Sequence, residues 1–518
     1  MQRLLRYHSL ASISLLLGAA ISCQEGGAGD GSGGAAGAGA LASDEGGSPE
    51  DDGGGGGSAA ESGGAHGEGL AGAGGGASGG ASTGGQGTGS GGAPVCVDGG
   101  QGSLGEPGAD GFAVKLTMAS ELDENAPTTV AILEWALDQS CVHDAYVEFG
   151  LDDGYGMRAP VDLTKENRRT VLWGMKAERT YHYRIVATGA DGTLSSDDYS
   201  LTTGRAPEVP SFSLTVSAPP SADQGFFVGT SWTIGSANPE DGIWTGFVLD
   251  TDGDLVWWHT YERATGSEDG YARLRLSADG QSLWFAQATN AGAPLYRVSV
   301  DTLDTDLYEE AIASHDICAV RGSTMAYLDY GSGDCARIVE IDETGTTKQV
   351  FDPTGVEGLE GCHANSVRYS ASEDVYTYSA RSHDVLVVGR DGQVKWRLSE
   401  QVTGGNGAWG GQQHGTHLLD ESILILANYT DDMTAKAIEY SLDGEPLETF
   451  PTGNTGQDAS FLGDVQRLPS GNTLITSGYE TWIVTPQGEV TLSMSAGPWF
   501  GYLEFRTDLY GPADDIWQ

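Results

Sequence analysis

The stretch HANSVRYSASEDVYTYSARSHDVLVVGRDGQVKWRL, residues 363–398, holds four short apolar-rich runs separated by turn residues. NSVRYS and VYTYS flank the polar turn ASED, while VLVVG and QVKWRL flank RDG, whose glycine suits a left-handed turn position. A segment of this pattern reads as four antiparallel strands joined by tight turns.

The pattern recurs on both sides. Strand–turn–strand elements RLRLSADGQSLWFA (273–286), DICAVRGSTMAYLD (316–329), THLLDESILILAN (416–428) and VQRLPSGNTLITS (465–477) alternate with glycine-turn hairpins. The hairpins are FVLDTDGDLVWW (247–258), VEIDETGTTKQVF (339–351), EYSLDGEPLETF (439–450) and IVTPQGEVTLSM (483–494); YRVSVDTLDTDLY (296–308) is a degenerate copy. Four strands every ~45–50 residues is the period of a β-propeller blade. FFVGTSWTI opens the first of six units, so residues 205–518 read as a six-bladed β-propeller. WFGYLEFRTDLYG (499–511) is expected to close the ring or pack over its mouth. DTDGD (250–254) is similar to a calcium loop, but it falls where each unit has a hairpin turn. No glutamate stands at its twelfth position, so it reads as a turn.

Upstream, residues 95–204 contain AVKLTMAS, TTVAILEWAL, DAYVEFGL, RRTVLWGM, RTYHYRIVAT and SDDYSLTT, short alternating runs at close intervals that predict a β-sandwich. LWGMKAERTYHYRIVATGADG resembles the fibronectin type III motif, with Met175 and Ala177 where leucine and proline are usual. The implied role is spacing or docking.

The first 22 residues carry two arginines and then an apolar run, the pattern of a signal peptide. Ala20-Ile21-Ser22-Cys23 resembles the bacterial lipobox, which implies lipidation at Cys23. Residues 23–94 are then mostly Gly, Ala and Ser, with too little apolar bulk to offset the entropy of ordering. They read as a disordered tether, with an r.m.s. reach of about 45 Å. The chain is thus expected to be exported and lipid-anchored at a bacterial membrane, periplasmic or at the cell surface. Its 26 basic and 73 acidic residues give a formal charge of −47, which disfavours nucleic acid and anionic surfaces.

Five cysteines follow Cys23: Cys96, Cys141, Cys318, Cys335 and Cys362. No CxxC spacing occurs, so no structural metal site is expected. Cys335 and Cys362 fall in loops on one face of adjoining units and are expected to pair, as are Cys96 and Cys141. Cys318 lies inside an innermost strand and is expected to be a buried free thiol.

Ten histidines are present, and three of them, His315, His363 and His414, lie 48 and 51 residues apart at the heads of innermost strands. Asp464 continues the series 50 residues on. In a propeller such positions converge at one mouth of the central channel. Arg381, ending the second strand of its unit, can return toward the same mouth. Imidazoles and a guanidinium together suit a tetrahedral oxyanion.

HANSVRY…YSARSHDVLVVGRDGQVKWRLSE, QQHGTHLL and DVQRLPSGNTLITSG together resemble the bacterial arylsulfotransferase family, over roughly residues 225–512. The resemblance implies that His414 is the nucleophile, taking a sulfuryl group from an aryl sulfate as sulfohistidine and passing it to a phenol. His315, His363, Asn365 and Arg381 would bind sulfuryl oxygens or serve the phenol oxygens, and Arg506-Thr-Asp-Leu-Tyr-Gly looks like the family's ending, with Arg506 a substrate-binding candidate. No nucleotide donor or other cofactor is implied. The family's aspartate after the nucleophile is Gly415 here, so another group would have to orient His414. His417 reads as structural, and His383 as at most a support. The rival expectation is a non-catalytic, lipid-anchored propeller that binds an extracellular ligand or protein through the same histidines.

Overall fold

Outside a four-residue helix, Ala119–Leu122, and one turn of 3₁₀ helix, regular structure in the computed structural model is β throughout its described residues. Those are 104–138, 141–207, 212–216, 223–233, 243–261, 271–288, 292–331, 335–381, 383–399, 413–428, 435–444, 446–451, 462–477, 480–496 and 502–511. The expected leader 1–22, Cys23, the linker to 94 and Cys96 lie outside them. No described helix is long and apolar enough to cross a membrane.

Residues 112–202 form two antiparallel sheets. Phe112–Met118, Ala131–Leu137 and Thr170–Leu172 make one. Gly156–Pro160, Asp144–Gly150 and Thr180–Gly189 make the other, with Gly192–Ser195 and Tyr199–Thr202 both paired to Thr180–Gly189. Alternate residues of both turn inward, so Leu133, Trp135, Val147, Phe149, Tyr183 and Ile185 share one core. The Tyr181 hydroxyl accepts a hydrogen bond from the Lys176 N–H at 2.8 Å, the corner contact of many sandwiches.

Beyond residue 212 the chain builds antiparallel meanders. Residues 363–398 give a four-stranded sheet, 413–451 another, and 464–496 a third. Phe212–Val216 adds a fifth strand to the outer edge of the last, which the sequence repeat does not announce. Strands within residues 271–351 form a single seven-stranded sheet, because Thr305–Arg321 is one 17-residue strand. Its first half pairs with Ala293–Ser299 and its second with Thr324–Asp329, which explains the degenerate copy at 296–308.

Leu503–Arg506 pairs with Phe226–Thr233, so the C-terminal strand completes the sheet that the N-terminal strands begin. The first strands of the successive units, from Tyr271–Leu276 through Thr305–Arg321, His363–Ser370, Gln413–Leu418, Asp464–Arg467 and Leu503–Arg506, neighbour one another in that order, and the last returns to the first. This circular adjacency is a propeller-like arrangement.

The two regions are bonded together. Trp173 and Tyr510 meet edge-on, and Tyr510 Oη accepts from the Trp173 N–H at 2.8 Å. Thr129 Oγ1 donates to the Val256 carbonyl at 2.7 Å. The DTDGD segment is a hairpin turn, as expected, and a cation does sit on it. Lys176 Nζ lies 3.0, 2.7 and 2.6 Å from Asp250, Asp252 and Asp254. Those carboxylates raise the Lys176 pKa in spite of its burial.

Candidate functional site

Three innermost strands carry a β-bulge at the same end. Pairing skips between Ala313 and Ile317, between Ala364 and Ser366, and between His414 and Thr416. Bulges re-aim side chains and cluster beside active sites. Asn365 and Gly415 are the extra residues of the second and third. His315 lies within the first, in the left-handed region at φ 65°, a conformation that costs a non-glycine residue about 1 kcal/mol or more.

The bulges also correct the register that equal spacing suggested. Asp464 is level with Asp316 and not with the histidines. Each aspartate Oδ1 accepts the N–H of the next residue at 2.8 Å, and each meets Arg273. Inserted residues displace the histidines by one or two positions, which constant sequence spacing cannot report.

His315 and His363 are in direct contact. Their Nε2 atoms are 2.8 Å apart, so one ring donates and the other accepts. Ser314 Oγ lies 2.7 Å from His315 Nδ1, and Tyr330 stacks on the His315 ring at 5.3 Å. Arg381 is the direct cross-strand partner of His363. Burial, followed by the charges of His363, His414, Arg273 and Arg381, holds the His315 pKa well below its ordinary value. Burial and then Arg381 lower that of His363. Both rings are therefore neutral at pH 7, as a proton relay requires.

His414 is buried, and its Nδ1 lies 2.6 Å from Asn428 Oδ1. Gly415 follows at φ 35°, and a Cβ there would sit 2.5 Å from Asp464 Oδ1 and 2.7 Å from Asp464 Cα. The close approach of this neighbouring strand explains why glycine stands at 415. Asn365 is fully buried, its Nδ2 donating to the Gln413 carbonyl at 2.6 Å. Gln413 Nε2 in turn donates to the Ala380 carbonyl at 2.7 Å.

The Cys335–Cys362 disulfide forms as expected, directly before His363, with Tyr378 Oη against both sulfurs. Cys318 is a buried free thiol, as expected. Cys141 is disulfide-bonded, while its expected partner Cys96 lies outside the described residues.

Other candidates point elsewhere. Arg506 is buried, donates to the Gly511 carbonyl and lies 3.5 Å from Glu504, so its described contacts tie down the chain's end. His417 is buried, its Nδ1 accepting the Arg467 N–H at 2.9 Å, a structural contact. His383 Nδ1 faces the Gly358 carbonyl at 3.0 Å.

Several residues escaped the sequence reading. Arg273 and Arg275 each reach Asp464 Oδ2 at 2.9 Å, Arg368 reaches its Oδ1 at 2.5 Å, and all are buried. This ionic cluster ties together the strands Tyr271–Leu276, His363–Ser370 and Asp464–Arg467. Two arginines in RLRL, on a strand that should be buried, were its available signal. Tyr330 and Asn428 gave none, since each lies at a strand end with no motif around it.

No protein-family model and no curated protein sequence matches the chain. Among solved structures, a nidogen–laminin complex aligns at 9% identity over 60% of this chain and 94% of that one, with a TM-score of 0.30. A gluconolactonase from Xanthomonas campestris aligns at 11% identity over 56% and 92%, with a TM-score of 0.34. Likeness this distant bears on neither activity nor substrate.

Proposed function

We propose that the protein transfers a sulfuryl group from an aryl sulfate to a phenol through a sulfohistidine at His414. The observation carrying the proposal is the hydrogen-bonded His315–His363 pair with Arg381 opposite His363, the His363 strand lying between those of His315 and His414. In the wider reading the sheets are six blades of a propeller over residues 205–518, preceded by a fibronectin type III-like sandwich at 95–204. An exported, lipid-anchored Cys23 and the 23–94 tether hold both at the outer face of a bacterial membrane.

In the first half-reaction the Nε2 lone pair of His414 attacks sulfur. The N–S bond forms, the S–O(aryl) bond breaks, and its electron pair leaves on the aryl oxygen. A neutral imidazole is a competent nucleophile, and splitting the transfer in two lowers each barrier. The N–H of neutral His363 donates a hydrogen bond to the aryl oxygen as it departs, and the phenolate takes its proton from solvent. Arg381 offsets the charge on the sulfuryl oxygens. In the second half-reaction an acceptor phenol attacks sulfur while His363 takes its proton. The N–S bond breaks with its electron pair returning to Nε2 of His414, and His363 gives the proton up to solvent.

A binding propeller is the second reading, favoured by one contact: His315 and His363 already satisfy each other. Steady-state assay separates the two. With 4-nitrophenyl sulfate, a transferase releases 4-nitrophenol faster when a second phenol is added and yields that phenol's sulfate. Absence of turnover over a panel of aryl sulfates, with folded protein, favours the binder.

A further inference from the structure

We propose that Asn428 is the positioning residue for His414, fixing which ring nitrogen carries the proton. The proposal rests on the reading of His414 as nucleophile and deepens it.

Asn428 ends the strand Ser422–Asn428 and is fully buried. Its Nδ2 donates to the Leu462 carbonyl at 3.0 Å, so the amide cannot turn over without setting two oxygens against each other. Oδ1 must then face His414, and an oxygen with no proton can only accept. The 2.6 Å contact therefore places the proton on Nδ1 of His414 and the lone pair on Nε2.

The backbone around Leu462 is shaped for this contact. Leu462 and Gly463 adopt φ of 60° and 110°. A Cβ at 463 would lie 2.4 Å from both the Thr476 carbonyl oxygen and Leu426 Cδ2. Only glycine permits the turn that presents the Leu462 carbonyl to Asn428.

A neutral acceptor also tunes the intermediate. Sulfation at Nε2 with Nδ1 protonated leaves a positive imidazolium ring bearing the sulfuryl group. A carboxylate partner would stabilise that ring strongly, whereas an amide oxygen stabilises it modestly. The sulfohistidine so held remains a reactive donor. That suits discharge to weak nucleophiles such as neutral phenols.

The test uses the whole chain labelled with ¹⁵N-histidine, the His414 resonances being assigned by their loss in His414→Gln. Two-bond ¹H–¹⁵N spectra should show the Nδ1–H tautomer in the native protein and its loss in Asn428→Leu. Single-turnover sulfation should slow about 100-fold in Asn428→Leu. Asn428→Asp keeps an acceptor, so its single-turnover rate should stay within about tenfold of native; the carboxylate raises the pKa of the His414 ring and moves the acid limb of the pH–rate profile to higher pH. An Nε2–H tautomer in the native protein, or an unchanged tautomer in folded Asn428→Leu, overturns the proposal. If the leucine variant does not fold, Asn428→Asp decides: an unmoved pH limb and unmoved His414 resonances overturn it. A native Nδ1–H tautomer lost in Asn428→Leu, without sulfuryl uptake in any form, supports the positioning contact and overturns the sulfuryl reading instead.

Discussion

At the scale of single residues, the site is defined by what burial does to imidazole. A buried histidine pays for protonation in lost hydration, so its pKa falls. For His315 the folded value lies well below 6.5, and His259 is lowered to about 4 by the same cause. The unfolded chain then binds more protons than the folded one once pH drops below about 6.5. Stability is insensitive to these groups above that pH and declines below it, down to about 4 for His259 and further for His315. Urea unfolding between pH 7.5 and 5 should show this decline, with each group contributing at most about 1.4 kcal/mol per pH unit. His315→Asn should make it shallower, leaving the share of His259, and an equally steep decline in that variant would contradict the assignment. Gly415 makes the opposite kind of prediction, from space. Gly415→Asp sets a Cβ against Asp464 and a second carboxylate beside the first. It should cost about 3 kcal/mol or more, measured as a lower urea midpoint.

At the scale of elements, the bulged innermost strands decide where side chains point. The sequence displayed the histidines, Arg381 and the disulfide, because each stands in a repeated pattern or a countable set. It could not display the bulges, since an extra residue in a strand leaves no mark on apolar alternation over so short a run. The same holds for Asn428, which reaches His414 from the next strand over. The disulfide anchors one of these strands. Cys335–Cys362 closes a separation of 27 residues just before His363. Replacing both cysteines by serine should cost about 3 kcal/mol by loop entropy. Sulfation should slow as well, since the loop leading into His363 loses its tie. Unchanged stability on chemical unfolding would argue that the pair is incidental.

At the scale of the whole molecule, closure and docking are what the repeat alone left open. The four-strand period was legible, but it left open whether the C-terminal segment pairs with the opening unit or packs over it; Leu503–Arg506 pairs with Phe226–Thr233. The fifth edge strand at 212–216 and the buried cluster of Arg273, Arg275, Arg368 and Asp464 were not, because both depend on partners far away in sequence. Docking of the N-terminal sheets turns on Lys176, whose ammonium occupies the centre of three aspartates. Lys176→Met leaves those carboxylates facing one another and should lower stability by about 2 kcal/mol. Millimolar calcium should restore part of that loss in the variant and leave the native protein unchanged; no calcium response in the variant would mean the carboxylates separate once the lysine is gone.

The central claim is covalent, and mass reads it directly. The purified protein is mixed with 4-nitrophenyl sulfate, quenched within one turnover, and measured intact and after digestion. The account predicts one sulfuryl group on the peptide carrying His414, appearing with one equivalent of 4-nitrophenol, discharged by added phenol, and absent in His414→Ala. Phenol release without an adduct on His414, or an adduct that persists in His414→Ala, would contradict it.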